Sequence, residues 1–192
     1  MNKEQAIAII KENQQHEKTA EISIFLNTWG NYNENGADGG AWVHLPADNL
    51  SDIMEAIAFL MNDDDPEWAI HDFETADDLP TLDISEHDNP DDVNELAEKI
   101  AGLDKWERET WAAAVEYWGV KYVDIDDIDD YQLYTDIQTD YDLGYYWAME
   151  SGCYEIEKMG HLANYIDYEA FGRDIRIESD GGFSSYGWIE KC

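Results

Sequence analysis

Apolar residues recur along this chain at two spacings, and the switches between them mark out its elements. Ala6, Ile7 and Ile10 step by three or four, a short helical lead-in over residues 1–18 that is expected to be loosely attached. EISIFLNTW (21–29) alternates and is rich in β-branched and aromatic residues, as a strand is. NYNENGADGG is dense in turn formers and reads as a loop, with AWVHL (41–45) as the returning strand stopped by Pro46. Leu50, Ile53, Met54, Ile57, Phe59, Leu60 and Met61 then outline a helix that Asp48 or Asn49 can cap. EWAIHDF (67–73) gives a third strand, so the first portion reads as ββαβ.

A long acidic connection, 75–89, follows. Asn89 is a helix cap with Pro90 in the first helical position, and Leu96, Ile100 and Leu103 supply an apolar face. Asp104, with Glu107 three residues on, opens another helix, on which Trp106, Trp111, Val115 and Trp118 are expected to face inward until Gly119 stops it. In 124–142 the residues Ile125, Ile128, Tyr131, Tyr134, Ile137 and Tyr141 again step by three or four, so a helix is expected that continues through GYYWAMESG (144–152). Residues 162–174 read as a helix. Ile175–Glu178, the turn SDGG and Phe183–Ile189 read as a terminal hairpin. The fold class is α+β, expected as three small domains: ββαβ at 20–75, helical at 76–120 and α+β at 121–192, behind an extension at 1–19.

Charge changes the picture. Eleven Lys and Arg stand against 45 Asp and Glu, a net charge of -34, so most acids cannot be ion-pair partners. The acids do not mark a disordered tail, because 44% of the residues are hydrophobic and eight are Trp. From Thr19 to Glu98 there are 21 acids and no Lys or Arg. A helix over 124–142 would carry eight aspartates along roughly 28 Å, about one per 3.5 Å, close to the ~3.4 Å between phosphates on one DNA strand. A solvated acidic face and halophilic adaptation are the alternatives. Nucleic acid is excluded as a direct ligand, because binding it requires Lys and Arg to neutralise phosphates. Anionic membranes are excluded on the same ground. The remaining partners are basic: a cation or a protein with a basic surface.

Motifs for chemistry are scarce. An EF-hand counted from Asp124 fails, with Ile128 and Asp129 in its fifth and sixth positions. Asp63, Asp64 and Asp65 could hold Mg²⁺ only weakly, and His16, His44, His71, His87 and His161 are scattered. HExxH, GxSxG, P-loop and dinucleotide fingerprints are absent, and among 45 acids no carboxylate pair is informative about glycoside hydrolysis. Cys153 and Cys192 lack metal spacing and read as free thiols of a reducing compartment. The start lacks a signal-peptide core and no run approaches ~20 apolar residues, so a cytoplasmic protein is expected, without cofactor, metal or catalytic residue.

Three passages together resemble the ArdA family of antirestriction proteins: ISIFLNTWGNYNENGADGGAWVHLP (22–46), the acidic middle with EWAIHDFE (67–74), and YIDYEAFGRDI (165–175) before a short β ending. The resemblance covers roughly 20–192. It implies an elongated, three-domain homodimer, dimerised through its third domain. It further implies that the protein mimics bent B-form DNA, occupies the DNA-binding groove of type I restriction–modification enzymes and protects incoming mobile-element DNA. Two copies would carry about -68, the charge of ~115 Å of duplex as an upper bound. The acids expected to form the mimicking surface are Asp63, Asp64, Asp65, Glu67, Asp77, Asp78, Asp83, Glu86, Asp88, Asp91, Asp92 and Glu95, then Asp124, Asp126, Asp127, Asp129, Asp130, Asp136, Asp140 and Asp142. An inhibitor of another basic DNA-binding protein and a cation-binding or carboxylate enzyme are the competing readings.

Overall fold

Strand β1 (Ile22–Thr28) is buried along almost its whole length, because it is the middle strand of a sheet and both its faces are covered. In this computed structural model, which describes residues 1–154 and 156–192, the chain divides into two units, Met1–Leu103 and Asp104–Cys192. In the first, β1 pairs antiparallel with β2 (Ala41–Leu45) on one side and β3 (Trp68–Thr75) on the other. Ile22, Ile24 and Leu26 alternate into the core, fully buried with Val43 and Leu45. Helices α1 (Lys3–Asn13), α2 (Trp29–Asn35), α3 (Leu50–Met61) and α4 (Pro90–Gly102) complete the unit. Asn62, whose φ of 56° is left-handed, ends α3.

The lead-in is not loosely attached. α1 packs against α3 with Ala6 fully buried, and its last residue is tied to the sheet edge. The Asn13 amide donates to the His44 carbonyl at 2.8 Å and accepts from the His44 N–H at 2.9 Å. Asn94 of α4 makes the same reciprocal pair with Ala47, at 2.8 and 3.4 Å. Two carboxamides therefore satisfy backbone groups that edge strand β2 and its continuation would otherwise leave unpaired. The expected loop after Trp29 contains α2. Thr28 caps it by accepting from the Asn31 N–H, and side-chain amide bonds from Asn31 to Asn27 and from Asn35 to Asn31, at 2.8 and 2.9 Å, offset the poor helix propensity of Asn31 and Asn35.

In the second unit α5 (Lys105–Trp118) opens with the expected capping box between Asp104 and Glu107. Trp111 and Val115 are buried, but Trp106, in the first turn, is 44% exposed rather than inward-facing. The helices expected as a middle domain at 76–120 lie in different units, α4 in the first and α5 in the second. The second sheet is antiparallel in the order β4 (Tyr131–Tyr134), β6 (Gly187–Lys191), β5 (Gly181–Ser184). Helices α6 (Asp140–Tyr145), extended by a π-helical turn Tyr146–Glu150, and α7 (Tyr168–Glu178) cross nearby; Ile137, Leu143 and Trp188 form the core.

Three expectations for this half are corrected. Residues 124–142 are not one helix but two 3-10 turns joined at a kink at Asp127 (Ile125–Asp130), then β4, a turn and α6. The pattern IDDIDDY repeats every three residues, and a 3-10 helix has three residues per turn. Ile125 and Ile128, on either side of the kink, are both buried, while the aspartates between and after them point out. The charge spacing calculated for a continuous helix does not apply. The helix placed at 162–174 begins at Tyr168, capped by Asp167, after a separate 3-10 stretch Ile156–Tyr165. Ile175–Glu178 belong to α7, because Tyr168, Phe171, Gly172 and Ile175 keep helical phase. The hairpin accordingly turns at Ser185 and Tyr186, where Gly187 takes a φ of 139° with the Tyr134 carbonyl 2.3 Å from where a Cβ would sit.

Candidate protein-binding acidic surface

Local backbone chemistry decides which way each acid points. Of the twenty expected surface acids all are exposed except Asp63, Asp88, Asp140 and Asp142, which are half-buried. In the first unit the left-handed cap at Asn62 throws the chain outward, and the Asp63 carboxylate accepts from the Asp65 N–H at 3.2 Å. Asp64, Asp65 and Glu67 extend into solvent before β3. Asp77 and Asp78 lie just past the end of β3. Asp83, Glu86 and Asp88 lie on the irregular segment before α4, where Asp88 accepts from the Ser85 N–H at 2.8 Å. Asn89 caps α4 by accepting from the Asp91 N–H at 3.0 Å. This places Asp91 and Asp92 in the first turn, where the positive end of the helix dipole favours carboxylates.

Among the described residues, two basic side chains lie close to acids of this unit. His87 Nε2 lies 3.4 Å from Glu86 and Lys99 Nζ lies 3.3 Å from Glu95. Exposed pairs of this kind contribute between about 0 and 1 kcal/mol and leave the carboxylates open to a competing partner. Asp63, Asp64 and Asp91, which are far apart in sequence, converge with Glu55 on one groove of about 490 Å³. Its apolar part includes Met54, Ala58, Phe59 and Trp68, and its lining contains no Lys or Arg. Glu55 was not among the expected acids, since in sequence it is an ordinary polar position of α3.

In the second unit Asp124 caps the 3-10 helix by accepting from the Asp126 N–H at 3.0 Å, and Asp126, Asp127, Asp129 and Asp130 are exposed. Asp136 is exposed in the turn after β4. Asp142 is drawn into the cap of α6, accepting from Thr139 Oγ1 at 2.7 Å and the Gln138 N–H at 3.2 Å. Asp140 departs from the expected role. It receives two hydrogen bonds from Arg176 of α7, at 2.7 and 3.2 Å, and these bonds hold its carboxyl below the usual carboxylate range. That pair joins α6 to α7, so Asp140 serves the fold.

A second groove, about 480 Å³, is lined by residues of β4, α6 and the π-helical turn, with Asp136, Asp142 and Glu150 among four tyrosines. Glu150 was also missed, because nothing in sequence brings it near Asp136. Among the described residues no group of three or more His, Cys, Asp or Glu is arranged to hold a metal ion, and no helix is long and apolar enough to cross a membrane. Cys153 and Cys192 are exposed free thiols. His71 is held against aromatic rings, stacked on Tyr32 at 4.0 Å and edge-on to Trp29 at 5.4 Å. What this arrangement offers is outward-facing carboxylate on both units, suited to a basic protein surface.

No curated protein matches the chain. A protein-family model described as "Antirestriction protein (ArdA)" matches residues 24–190, from inside β1 to inside β6, leaving α1 outside. With most of both sheets and all twenty expected surface acids inside that match, the chain belongs to the ArdA family of antirestriction proteins.

Proposed function

We propose that this chain is an acidic DNA mimic that occupies the DNA-binding groove of type I restriction–modification enzymes, at the methyltransferase core, and so shields incoming mobile-element DNA from restriction. The observation that carries this is the 80-residue span without Lys or Arg, whose acids are almost all turned to solvent on the first unit, together with the outward aspartates of the 3-10 helix on the second. A basic channel built for phosphates gains the same counterion-release entropy from such a surface as from DNA. Inhibition by occupancy needs no catalytic residue. One observation supports self-association into a homodimer. Tyr154, Leu162, Tyr165 and Ile177 of the second unit are 50%, 64%, 84% and 70% exposed, large apolar side chains that a partner copy would cover. A dimer would also double the charge presented.

The test is the survival of unmodified plasmid DNA entering a restricting host that expresses the protein. Survival near that of modified DNA is expected. Survival at the level of the empty-vector host would reject the reading. Inhibition of another basic DNA-binding protein is the alternative, and a purified type I restriction digest that proceeds unhindered would favour it.

A further inference from the structure

Both grooves set carboxylates beside aromatic rings, Phe59 and Trp68 in the first unit, but four tyrosines line the groove of the second. Tyr134, Tyr141, Tyr145 and Tyr146 line it together with Asp136 and Glu150, and no Lys or Arg does. Tyr141 and Tyr145, one turn apart on α6, are 51% and 39% exposed and lie 14° from parallel with centroids 6.4 Å apart. Both are held by the edge of Tyr168 on α7, at 5.7 and 5.3 Å, so their faces are oriented before anything binds. On the inner wall the polar groups are already spoken for: the Tyr134 hydroxyl donates to Glu190 at 3.1 Å, and Glu190 also accepts from Trp188 Nε1 at 3.0 Å. Asp136 and Glu150, by contrast, have no hydrogen-bond or ion-pair partner among the described residues. The groove therefore presents aromatic faces with two unsatisfied carboxylate acceptors, and its volume of about 480 Å³ lies within the ~300–1,000 Å³ of ordinary ligand clefts.

We propose that this groove receives an arginine side chain from the basic partner. The inference rests on the reading of the protein as an inhibitor that binds a basic DNA-binding channel. The complementarity is specific: a guanidinium stacks flat on a tyrosine face while its N–H fork points to carboxylates, whereas a lysine ammonium is a strongly hydrated point charge that uses neither plane nor fork. A DNA backbone provides phosphates without rings at that position. The groove therefore adds to charge mimicry a ring contact that phosphates do not supply.

Two measurements test this. In the first, N-acetyl-arginine methylamide is titrated into the full-length protein while the ring signals of Tyr141 and Tyr145 are followed by NMR. Saturable shifts are expected, with the lysine analogue binding at least about three-fold more weakly. An arginine probe that leaves both rings unmoved overturns the proposal. In the second, inhibition of a purified type I enzyme is compared for wild type, Y141F/Y145F and Y141L/Y145L, each checked for an unchanged melting profile.

None of these substitutions alters charge, so a surface acting by charge alone would be indifferent to them. The phenylalanine pair should inhibit like wild type, and the leucine pair should need about ten-fold more protein, corresponding to about 1.4 kcal/mol. A leucine pair that inhibits at wild-type strength overturns the inference and leaves the inhibitor reading standing. A wild type that does not inhibit at all defeats the inhibitor reading, while the arginine titration still reports on the groove. If the leucine pair turns a wild-type dimer into monomers, the groove belongs to the contact between copies and the proposal fails. Should the leucine pair not fold, the titration of wild type decides.

Discussion

Replacing Gly172 by alanine should destabilise the second unit, although alanine is the better helix former. Gly172 sits inside α7 where it crosses α6, and a Cβ there would lie 1.8 Å from the Asp140 carbonyl oxygen and 2.6 Å from the Gly144 N–H nitrogen. Ordinary contact begins at 3.4 Å, so the helices must separate by about 1.5 Å, and a close-packed interior does not absorb that without losing contacts elsewhere. The bonds from Arg176 to Asp140 bridge the same crossing and would lengthen with it. Overpacking of this kind costs about 1–3 kcal/mol, or more where backbone is the obstacle, whereas exchanging glycine for alanine in a helix gains about 1 kcal/mol.

The clash wins by about 1 kcal/mol or more, a fall in melting temperature of at least about 2–4 °C for a chain of this length. Gly102, the last residue of α4, is the internal control, because a Cβ there meets nothing within 4 Å. The same substitution at Gly102 should leave the melting temperature unchanged or raise it slightly. Thermal unfolding followed by near-UV circular dichroism reads both variants. A G172A protein as stable as wild type, or two variants that shift in the same direction, would refute the helix-crossing argument.

Asp140→Asn should lower the melting temperature at pH 7. Since Arg176 depresses the folded carboxyl below its unfolded value of about 3.9, the wild-type contribution is complete above that value and lost as pH falls through the folded one. The variant should therefore show a shallower stability loss between pH 5 and pH 2.5, and an unchanged slope would contradict the assignment. Burial lowers the pKa of His44, with His16 acting in the same sense and Glu17 and Glu74 opposing. The unfolded chain then protonates first, so stability is complete above about pH 6.5 and falls below it. In His44→Gln the change in melting temperature between pH 7.5 and 5.5 should be smaller than in wild type. With a net charge of -34, raising NaCl from ~0.05 to ~0.3 M at pH 8 should raise the melting temperature, as screening over ~10 Å or less weakens self-repulsion. A salt-independent melt would show that repulsion is negligible. Changing any one of Asp64, Asp77, Asp127 or Asp129 to Asn should weaken inhibition of restriction slightly, and blocks of six or more should weaken it strongly; loss of inhibition from one such change in a folded protein would point to a localised site.

Sequence alone determined the features that depend on neighbours within about four residues. The Asn89–Pro90 start of α4 and the Asp104–Glu107 capping box were legible because their partners are adjacent in the chain, and β1 and β2 because β-branched alternation is itself a local pattern. The apolar positions of 124–142 were also legible in large part, since Ile125, Ile128, Tyr131 and Ile137 are buried. Their element was misassigned because a step of three suits a 3-10 turn as well as it suits an α-helix. Tertiary structure decided the rest. Asn13 and Asn94 look like ordinary helix-surface amides until His44, 31 residues on, and Ala47, 47 residues back, arrive as their partners. Asp140 resembled every other acid of its run until α7 brought Arg176, 36 residues away, onto it. The grooves that join Asp63 to Asp91, and Asp136 to Glu150, exist only once strands and helices have packed, because a concave surface is a property of the spacing between elements and no local pattern encodes that spacing.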